Sequence, residues 1–204
     1  EQDKEYYAVS ILSITSNKFI VYQRFLFCVL MYYSGLRESE LWSRSIQDVY
    51  IYNDKITIDV NTNDLIKSFK THSAKRRVEF TIDDSTYLDI FKQYLNMLEN
   101  KKIKYLFPSI SKKKIILKKE VQNIEYFTSC NKTIQEITQR YTSLHSFRHT
   151  FVTNNLRKII NNEKKEKKDI YDLINMVGHL GPEVTLRYYA HIDYILNHKD
   201  VELF

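Results

Sequence analysis

The chain has 204 residues, of which 43% are apolar and 27% are charged, and it contains only three glycines and two prolines. This apolar share excludes a fully disordered chain, and the low glycine and proline content argues against a loop-rich, many-stranded all-β fold. The length suits one domain, or one and a half, and the excess of 31 Lys and Arg over 25 Asp and Glu is a modest sign of an anionic partner.

The first half of the chain predicts helices followed by a small sheet. Residues 18–33 are strongly apolar and long enough for a buried helix that stops at Gly35, and residues 38–42 predict a short second helix. The pattern then changes to β-formers, with a turn signal at Asn53-Asp54. We expect three antiparallel strands, at 49–51, 55–60 and 76–82.

The middle of the chain predicts a helix, a basic excursion and a second helical region. Residues 83–100 begin with acidic side chains and repeat apolar residues on one side, which favours a helix. Residues 111–119 are basic around an apolar centre and are interpreted as a hairpin-like excursion. Residues 121–141 predict one or two helices, with Cys130-Asn131 as the break if there are two.

The last third predicts two further helices. One starts at Leu144 and runs to about residue 160, with apolar residues on one face. The charged run at 161–168 is interpreted as a surface insertion without a function of its own. The other helix is predicted from 169 to 177 and is ended by Gly178.

The cysteines and the hydropathy pattern bear on location. Cys28 and Cys130 show neither metal-ligand spacing nor a disulfide framework, so we interpret them as reduced thiols. No apolar run approaches the ~20 residues that a membrane-spanning helix needs, and no signal peptide opens the chain. We therefore expect a cytoplasmic protein with no membrane partner.

His145 and Arg148 are the first candidates for a functional site. They are three residues apart, so on a helix their side chains leave the same face one turn apart. A guanidinium can hold two oxygens of an oxyanion while an imidazole adds another donor. For this pair alone, a surface His and Arg on an amphipathic helix is the better interpretation. The functional interpretation becomes the better one because the chain also contains a second Arg, a Lys, another His and a Tyr at suitable positions.

Five short motifs contain these residues in a fixed order: Gly35-Leu36-Arg37-Glu38-Ser39-Glu40-Leu41, Lys70-Thr71, Leu144-His145-Ser146-Phe147-Arg148-His149-Thr150, Gly178-His179 and Thr185-Leu186-Arg187-Tyr188-Tyr189-Ala190-His191. Each motif alone is weak evidence, whereas the ordered set is strong. The set resembles the catalytic domain of the tyrosine recombinases, the phage-integrase family, from about residue 18 to the C-terminus. It implies an α+β fold, mainly α-helical, with a small three-stranded antiparallel sheet.

The resemblance also implies a function. It predicts a site-specific DNA recombinase or integrase that cleaves and rejoins DNA strands through a covalent 3′-phosphotyrosine intermediate. Such chemistry needs a nucleophile, donors for the two non-bridging phosphate oxygens and an acid for the leaving 5′-oxygen. The family pattern gives the catalytic roles to Arg37, Lys70, His145, Arg148, His179 and Tyr189. It also favours Glu40 as a support for Arg37, with a solvated position on the helix as the alternative.

The choice of nucleophile depends on the register of the last motif. Thr185 lies four residues before Tyr189 and His191 lies two after it, which is the common family spacing. A spacing one residue shorter would select Tyr188 instead.

The choice of general acid depends on a basic segment. Lys70 fits the family's Lys-Thr pattern before an Arg and a strand, with Lys67 and Lys75 as rivals, although Glu79 stands where the family usually has Pro. In the same segment, the cluster Lys75-Arg76-Arg77 could neutralise DNA phosphates, and we predict these residues as DNA contacts. A solvated basic surface is the alternative for such a cluster.

The expected partners follow from the same resemblance. They are double-stranded DNA with specific recombination sites and further protomers, as a dimer or tetramer on DNA; no small-molecule substrate is expected. No cofactor is expected, because the covalent intermediate stores the bond energy without metal or ATP, and no acidic cluster resembles a two-metal nuclease site. The apolar end of segment 193–204 is expected to dock on its own domain or, as in family members, on a neighbouring protomer.

We interpret residues 1–204 as one tyrosine recombinase catalytic domain, without the N-terminal DNA-clamping domain that the family usually carries. Two alternatives stay open. A type IB topoisomerase shares much of the Arg, Lys, His and Tyr set, although the Gly-Leu-Arg-x-Ser-Glu-Leu motif favours the recombinase. A DNA-binding module of the same fold without catalysis is the other, although every catalytic position is filled.

Overall fold

The computed structural model describes residues 16–62, 65, 75–111, 114–116, 124–160, 170–179, 181–185 and 187. Several sequence predictions concern positions outside the described residues: Lys67, Lys70, Tyr188, Tyr189, His191, the charged run 161–168 and the segment 193–204. None of the described helices is long and apolar enough to cross a lipid bilayer.

The first half forms helix α1 (Ser16–Ser34), helix α2 (Glu38–Trp42), a 3-10 turn (Ile46–Asp48) and strands β1 (Val49–Tyr52), β2 (Lys55–Val60) and β3 (Arg76–Thr81). The strands pair antiparallel in the order β1-β2-β3, as predicted. Asn53 and Asp54 turn the chain between β1 and β2 with φ of 47° and 64°. These residues tolerate the left-handed conformation that a tight hairpin turn requires.

The second half forms helix α3 (Ser85–Asn100), a hairpin of strands β4 (Ser109–Ser111) and β5 (Lys114–Ile116), and helices α4 (Ile124–Thr138), α5 (Leu144–Ile160) and α6 (Ile170–Val177). The predicted fold class is confirmed, since the described chain is mainly helical with a small three-stranded antiparallel sheet. Helix α4 runs through Cys130 and Asn131 without interruption, so a break at that point is wrong. Cys130 and Cys28 are both free thiols.

Helix α1 lies at the centre of the hydrophobic core. Its Leu26, Phe27, Leu30 and Met31 are fully buried, and α5 packs against it. Phe27 and Phe107 meet edge to face with ring centroids 4.9 Å apart, a favoured aromatic geometry. A second buried cluster joins α5 to α6 and contains Phe151, Val152, Leu156, Leu173 and Val177. The core thus fixes α1, α5 and α6 against each other.

A side chain from α4 fixes the start of α5. The first N–H groups of a helix have no partner within the helix. Here the Leu144 N–H donates to Asn131 Oδ1 at 2.8 Å, and the Ser143 N–H donates to Ser146 Oγ at 3.1 Å. Asn131, which sequence reasoning considered as a break, therefore holds the helix end that carries His145.

Gly35 ends α1 in the left-handed conformation, with φ of +64°. Its N–H donates to the Met31 carbonyl at 3.1 Å, the hydrogen bond of a left-handed helix C-cap. A Cβ at this position would lie less than 3.0 Å from three carbons of the Phe151 ring on α5. The close approach of α1 and α5 at this point therefore requires glycine.

We predict that Gly35→Ala lowers the free energy of unfolding by about 1–2 kcal/mol from backbone strain alone, with a further loss from displacement of Phe151. Urea denaturation measures the change. Gly181→Ala is the matched control, because Gly181 is not left-handed and the nearest neighbour of a Cβ there would be the flexible Glu183 carboxylate, at 3.3 Å. Equal destabilisation by both substitutions would contradict the argument.

Candidate active site

Arg37 lies at the N-terminal end of α2, where three hydrogen bonds to two partners hold it. Its N–H donates to Glu40 Oε2 at 2.9 Å, and its Nη1 donates to Glu40 Oε1 at 2.8 Å. Its Nη2 donates to the Gly178 carbonyl at 3.0 Å. The side chain is nevertheless 39% exposed. The guanidinium is therefore fixed on one side and open to solvent on the other.

Arg148 lies one turn into α5 and is only 1% exposed. Its Nη1 donates to the Gly35 carbonyl and its Nη2 donates to the Val177 carbonyl, both at 2.6 Å. One side chain thus ties the end of α1 to the end of α6. Because both partners are backbone atoms of packed helices, the guanidinium has a fixed position and plane.

The end of α6 places His179. Gly178 is left-handed, with φ of +68°. Its N–H donates to the Asn175 carbonyl at 3.2 Å and the His179 N–H donates to the Ile174 carbonyl at 3.1 Å, the two bonds of a Schellman C-cap. His179 Nδ1 lies 2.8 Å from Thr185 Oγ1, and the residue is only 7% exposed. The cap and this hydroxyl together fix the imidazole.

Arginines occupy the next three carbonyls at this helix end. Arg76 Nε donates to Met176 at 2.8 Å, Arg148 Nη2 to Val177 at 2.6 Å and Arg37 Nη2 to Gly178 at 3.0 Å. The last carbonyls of a helix lack intrahelical partners and carry partial negative charge, which favours cations there. Three arginines from distant parts of the chain therefore converge on one helix end.

Glu40 is buried between two of these arginines, with a side chain 4% exposed. Arg76 of β3 donates from Nη1 to its Oε1 at 3.0 Å and from Nη2 to its Oε2 at 2.9 Å. Burial alone would raise the pKa of the Glu40 carboxyl. The hydrogen bonds and charge of Arg76, joined by Arg37, outweigh burial and hold that pKa at about 2. Glu40 is therefore ionised at neutral pH.

The three basic residues predicted as DNA contacts have different surroundings. Lys75 and Arg77 are exposed, and Arg77 Nε pairs with Asp59 Oδ1 at 2.8 Å. Arg76 instead turns inward, with a side chain 7% exposed. Its guanidinium is bonded to Glu40 and to the end of α6, which makes it an internal partner and not a surface contact.

Both imidazoles respond to the arginine charges. The pKa of His179 is lowered to about 4, first by burial and then by Arg148 and Arg37. The pKa of His145 is also lowered, first by partial burial, then by the neighbouring His149 and by Arg148 and Arg37. The rings of His145 and His149 meet edge to face, with centroids 4.7 Å apart. Arg37, His145, Arg148 and His179 thus share one electrostatic environment, as their order in the sequence suggested.

Sequence reasoning missed two members of this site. Arg76 was grouped with its basic neighbours, yet strand alternation carried the signal, because Val78 and Phe80 on the same face of β3 are buried. Thr185 was noted only for its distance from the tyrosines. Nothing in that spacing indicates that its hydroxyl lies beside the His179 ring.

The described part of the site is rich in hydrogen-bond donors. Two guanidiniums and two imidazoles lie near each other, and such donors suit the oxygens of a phosphodiester. Among the described residues, no group of three or more His, Cys, Asp or Glu side chains could hold a metal ion.

The sequence model of the phage integrase family matches residues 5–195. No curated protein matches the chain. The family match spans all the motifs that contain the site residues described above.

Solved structures share the fold. The XerH site-specific recombinase bound to difH substrate superimposes with a TM-score of 0.60 at 17% identity, over 99% of this chain and 54% of that one. The XerA recombinase superimposes with a TM-score of 0.59 at 18% sequence identity, over 92% of this chain and 62% of that one. The Tn1549 transposon integrase in complex with circular intermediate DNA superimposes with a TM-score of 0.51 at 19% sequence identity, over 82% of this chain and 58% of that one. This chain therefore spans between half and two thirds of the length of these proteins.

We predict that His179→Gln flattens the pH dependence of folding stability between pH 4 and pH 6.5. The folded pKa of about 4 lies below the ordinary 6.5, so in this window the unfolded chain binds a proton that the folded chain does not. Wild-type stability therefore falls as the pH drops, by up to about 1.4 kcal/mol per pH unit from this group.

Urea denaturation of both proteins at several pH values measures this difference. Thr185→Ser, which keeps the hydroxyl beside the imidazole, is the matched control and should retain the wild-type slope. Parallel curves for wild type and His179→Gln would contradict the assignment of a depressed pKa to this residue.

Proposed function

The chain belongs to the phage integrase family, and from this premise we propose that it is the catalytic domain of a site-specific tyrosine recombinase. The proposed reaction cleaves and rejoins DNA strands through a covalent 3′-phosphotyrosine. One observation carries the proposal. Arg37 and Arg148 are held by backbone carbonyls at the end of α6, beside His145 and His179.

In this reaction the Tyr189 hydroxyl oxygen attacks the phosphorus of a DNA phosphodiester. The new phosphorus–oxygen bond forms as the bond to the 5′-oxygen breaks, and the phenol, with an ordinary pKa of ~10, loses its proton during the attack. Lys70 protonates the departing 5′-oxygen. Attack by a 5′-hydroxyl on the phosphotyrosine reverses these steps and joins a strand, so the reaction needs neither metal nor ATP.

Arg37 and Arg148 bind the non-bridging oxygens of the phosphate in this proposal. A guanidinium presents parallel donors that match two oxygens, and charge on those oxygens grows as phosphorus becomes five-coordinate. Donors that are fixed before the reaction stabilise this transition state without further ordering. The carbonyl contacts of both arginines support such a role, because they fix each side chain in advance.

The two histidines act as polar groups of low basicity. With a pKa of about 4, the His179 imidazole is uncharged at neutral pH. As negative charge builds up during the attack, the uncharged imidazole accepts the proton that the Tyr189 phenol loses, and before the reaction it adds no fixed positive charge. His145, at the exposed start of α5, supplies a further donor to the phosphate.

The proposed partners are DNA and further copies of the chain. The XerH structure is a complex with its difH substrate, and the Tn1549 integrase structure is a complex with circular intermediate DNA. We propose double-stranded DNA with specific recombination sites as the substrate here. Assembly as a dimer or tetramer on that DNA, in the cytoplasm, belongs to the same proposal. The family match supports a recombinase over a type IB topoisomerase.

Tyr189→Phe should abolish the covalent protein–DNA adduct and leave DNA affinity within about twofold of wild type, because only one hydroxyl is lost. A nicked suicide substrate traps the adduct, which denaturing gel electrophoresis detects, and a mobility shift assay measures affinity. The trapping reaction is run in excess EDTA, where we expect it to proceed.

Tyr188→Phe is the matched control and should keep the adduct. If Tyr188→Phe loses the adduct and Tyr189→Phe keeps it, the nucleophile is Tyr188. Loss of the adduct in EDTA with recovery on adding Mg²⁺ would overturn the phosphotyrosine mechanism itself.

Lys70→Ala should cleave ordinary DNA at least about a hundredfold more slowly, yet cleave DNA with a bridging 5′-sulfur at nearly the wild-type rate. The thiolate leaving group needs no proton, so loss of a general acid no longer matters. Lys67→Ala and Lys75→Ala are the controls, since loss of a phosphate contact slows both substrates alike. Equal slowing of Lys70→Ala on both substrates would exclude it as the acid.

A further inference from the structure

Arg76 and Arg37 together fill the hydrogen-bond acceptor sites of the Glu40 carboxylate. Glu40 Oε1 accepts hydrogen bonds from Arg37 Nη1 and Arg76 Nη1, and Glu40 Oε2 accepts from the Arg37 N–H and Arg76 Nη2. Four donors on two oxygens fill the acceptor capacity of a carboxylate. Since both side chains of the Arg76–Glu40 pair are nearly buried, this geometry has little freedom to relax.

The same guanidinium also holds the end of α6. Arg76 Nε donates to the Met176 carbonyl at 2.8 Å, so one planar group bridges Glu40 and the helix end. Two residues later, the Gly178 carbonyl accepts from Arg37. Arg37 therefore receives both of its side-chain contacts, Glu40 and Gly178, from elements that Arg76 fixes.

Gly178 shows how close this packing is. A Cβ at Gly178 would lie 2.7 Å from Arg76 Nη1 and 2.9 Å from its Cζ. The Arg76 guanidinium thus lies directly against the backbone that turns from α6 to His179. A shorter or differently shaped side chain at position 76 would leave this turn without its support.

Arg76 also keeps the Glu40 carboxylate ionised. Glu40 is surrounded by Arg37 from α2, Arg76 from β3 and Arg44, whose Nε donates to the Glu40 carbonyl at 3.0 Å. A carboxylate that loses one of its paired cations in a buried site becomes easier to protonate. A protonated Glu40 would hold Arg37 with fewer and weaker hydrogen bonds.

We propose that Arg76 is a positioning residue for catalysis, which fixes Glu40 and the end of α6 so that Arg37 meets the scissile phosphate in one orientation. Arg76 itself does not touch the substrate. The inference rests on the proposed function, because it takes Arg37 as a ligand of the phosphate. It predicts an effect on the cleavage step that exceeds any effect on DNA binding.

The test measures single-turnover cleavage and DNA affinity for wild type, Arg76→Met and Arg76→Lys. Arg76→Met should cleave between about tenfold and a hundredfold more slowly, the cost of a small displacement of a catalytic group, with affinity within about threefold of wild type. Arg76→Lys keeps the charge but cannot bridge both Glu40 oxygens and Met176, so it should recover only part of the rate.

A pH profile separates positioning from a general loss of structure. The rate of Arg76→Met relative to wild type should fall as the pH drops from 8 to 5, because Glu40 becomes protonated only in the variant. Adding Glu40→Gln should remove this extra pH dependence, so the ratio of Arg76→Met/Glu40→Gln to Glu40→Gln stays constant. Arg157→Met, an exposed arginine in the last turn of α5, controls for the lost charge and should behave as wild type.

The outcomes distinguish failure of the proposed function from failure of the positioning role of Arg76. Wild-type protein that forms no phosphotyrosine adduct would overturn the proposed function and this inference together. Wild type that cleaves, with Arg76→Met or Arg76→Lys at the same rate and pH profile, would overturn the inference alone. If Arg76→Met lost DNA affinity and cleavage rate by equal factors, the inference would also be overturned, because Arg76 would then be a DNA contact. If Arg76→Met does not fold, Arg76→Lys decides.

Discussion

The carboxyl end of helix α6 is the constraint on which the site depends. Its Schellman cap satisfies the Ile174 and Asn175 carbonyls, and arginines satisfy the next three. Without those side chains the buried carbonyls would lack partners, which is costly inside a protein. The arginines come from β3, α5 and the start of α2, so one short helix brings together segments that lie far apart in the sequence.

The same arrangement sets the electrostatics of the site. Three guanidiniums near one another repel, and the partial negative charge of the helix end together with ionised Glu40 offsets part of that repulsion. Burial is the first cause that lowers the pKa of His145 and His179, and the remaining positive field lowers it further. A field that disfavours an imidazolium favours an anion for the same reason, so the part of the pKa shift that the arginines cause agrees with the phosphate binding proposed for this site.

Periodicity predicted most of the helices and strands, and the resemblance of the ordered motifs to the tyrosine recombinases implied that Arg37, His145, Arg148 and His179 lie together. These signals are local or depend on an ordered set of residues, which a single sequence displays. The hydrogen-bond partners of individual side chains were harder to predict, because they lie far apart in the sequence. Asn131 suggested a helix break by composition, yet its side chain caps a different helix. Strand β3 could have separated Arg76 from Arg77 by alternation alone, but composition grouped them as one basic cluster.

The side chains of this candidate site are fixed at the ends of helices, because those ends provide what helix interiors lack. A helix end offers backbone groups without intrahelical partners and a left-handed turn that changes the chain direction within one residue. Gly35 and Gly178 supply such turns at the ends of α1 and α6, and Arg148 joins the two ends through the Gly35 and Val177 carbonyls. Since both helices are packed in the core behind these turns, a displacement of either one would move the guanidinium between them. The packing of the α1–α5–α6 core therefore also sets the positions of the side-chain donors that we propose bind the phosphate.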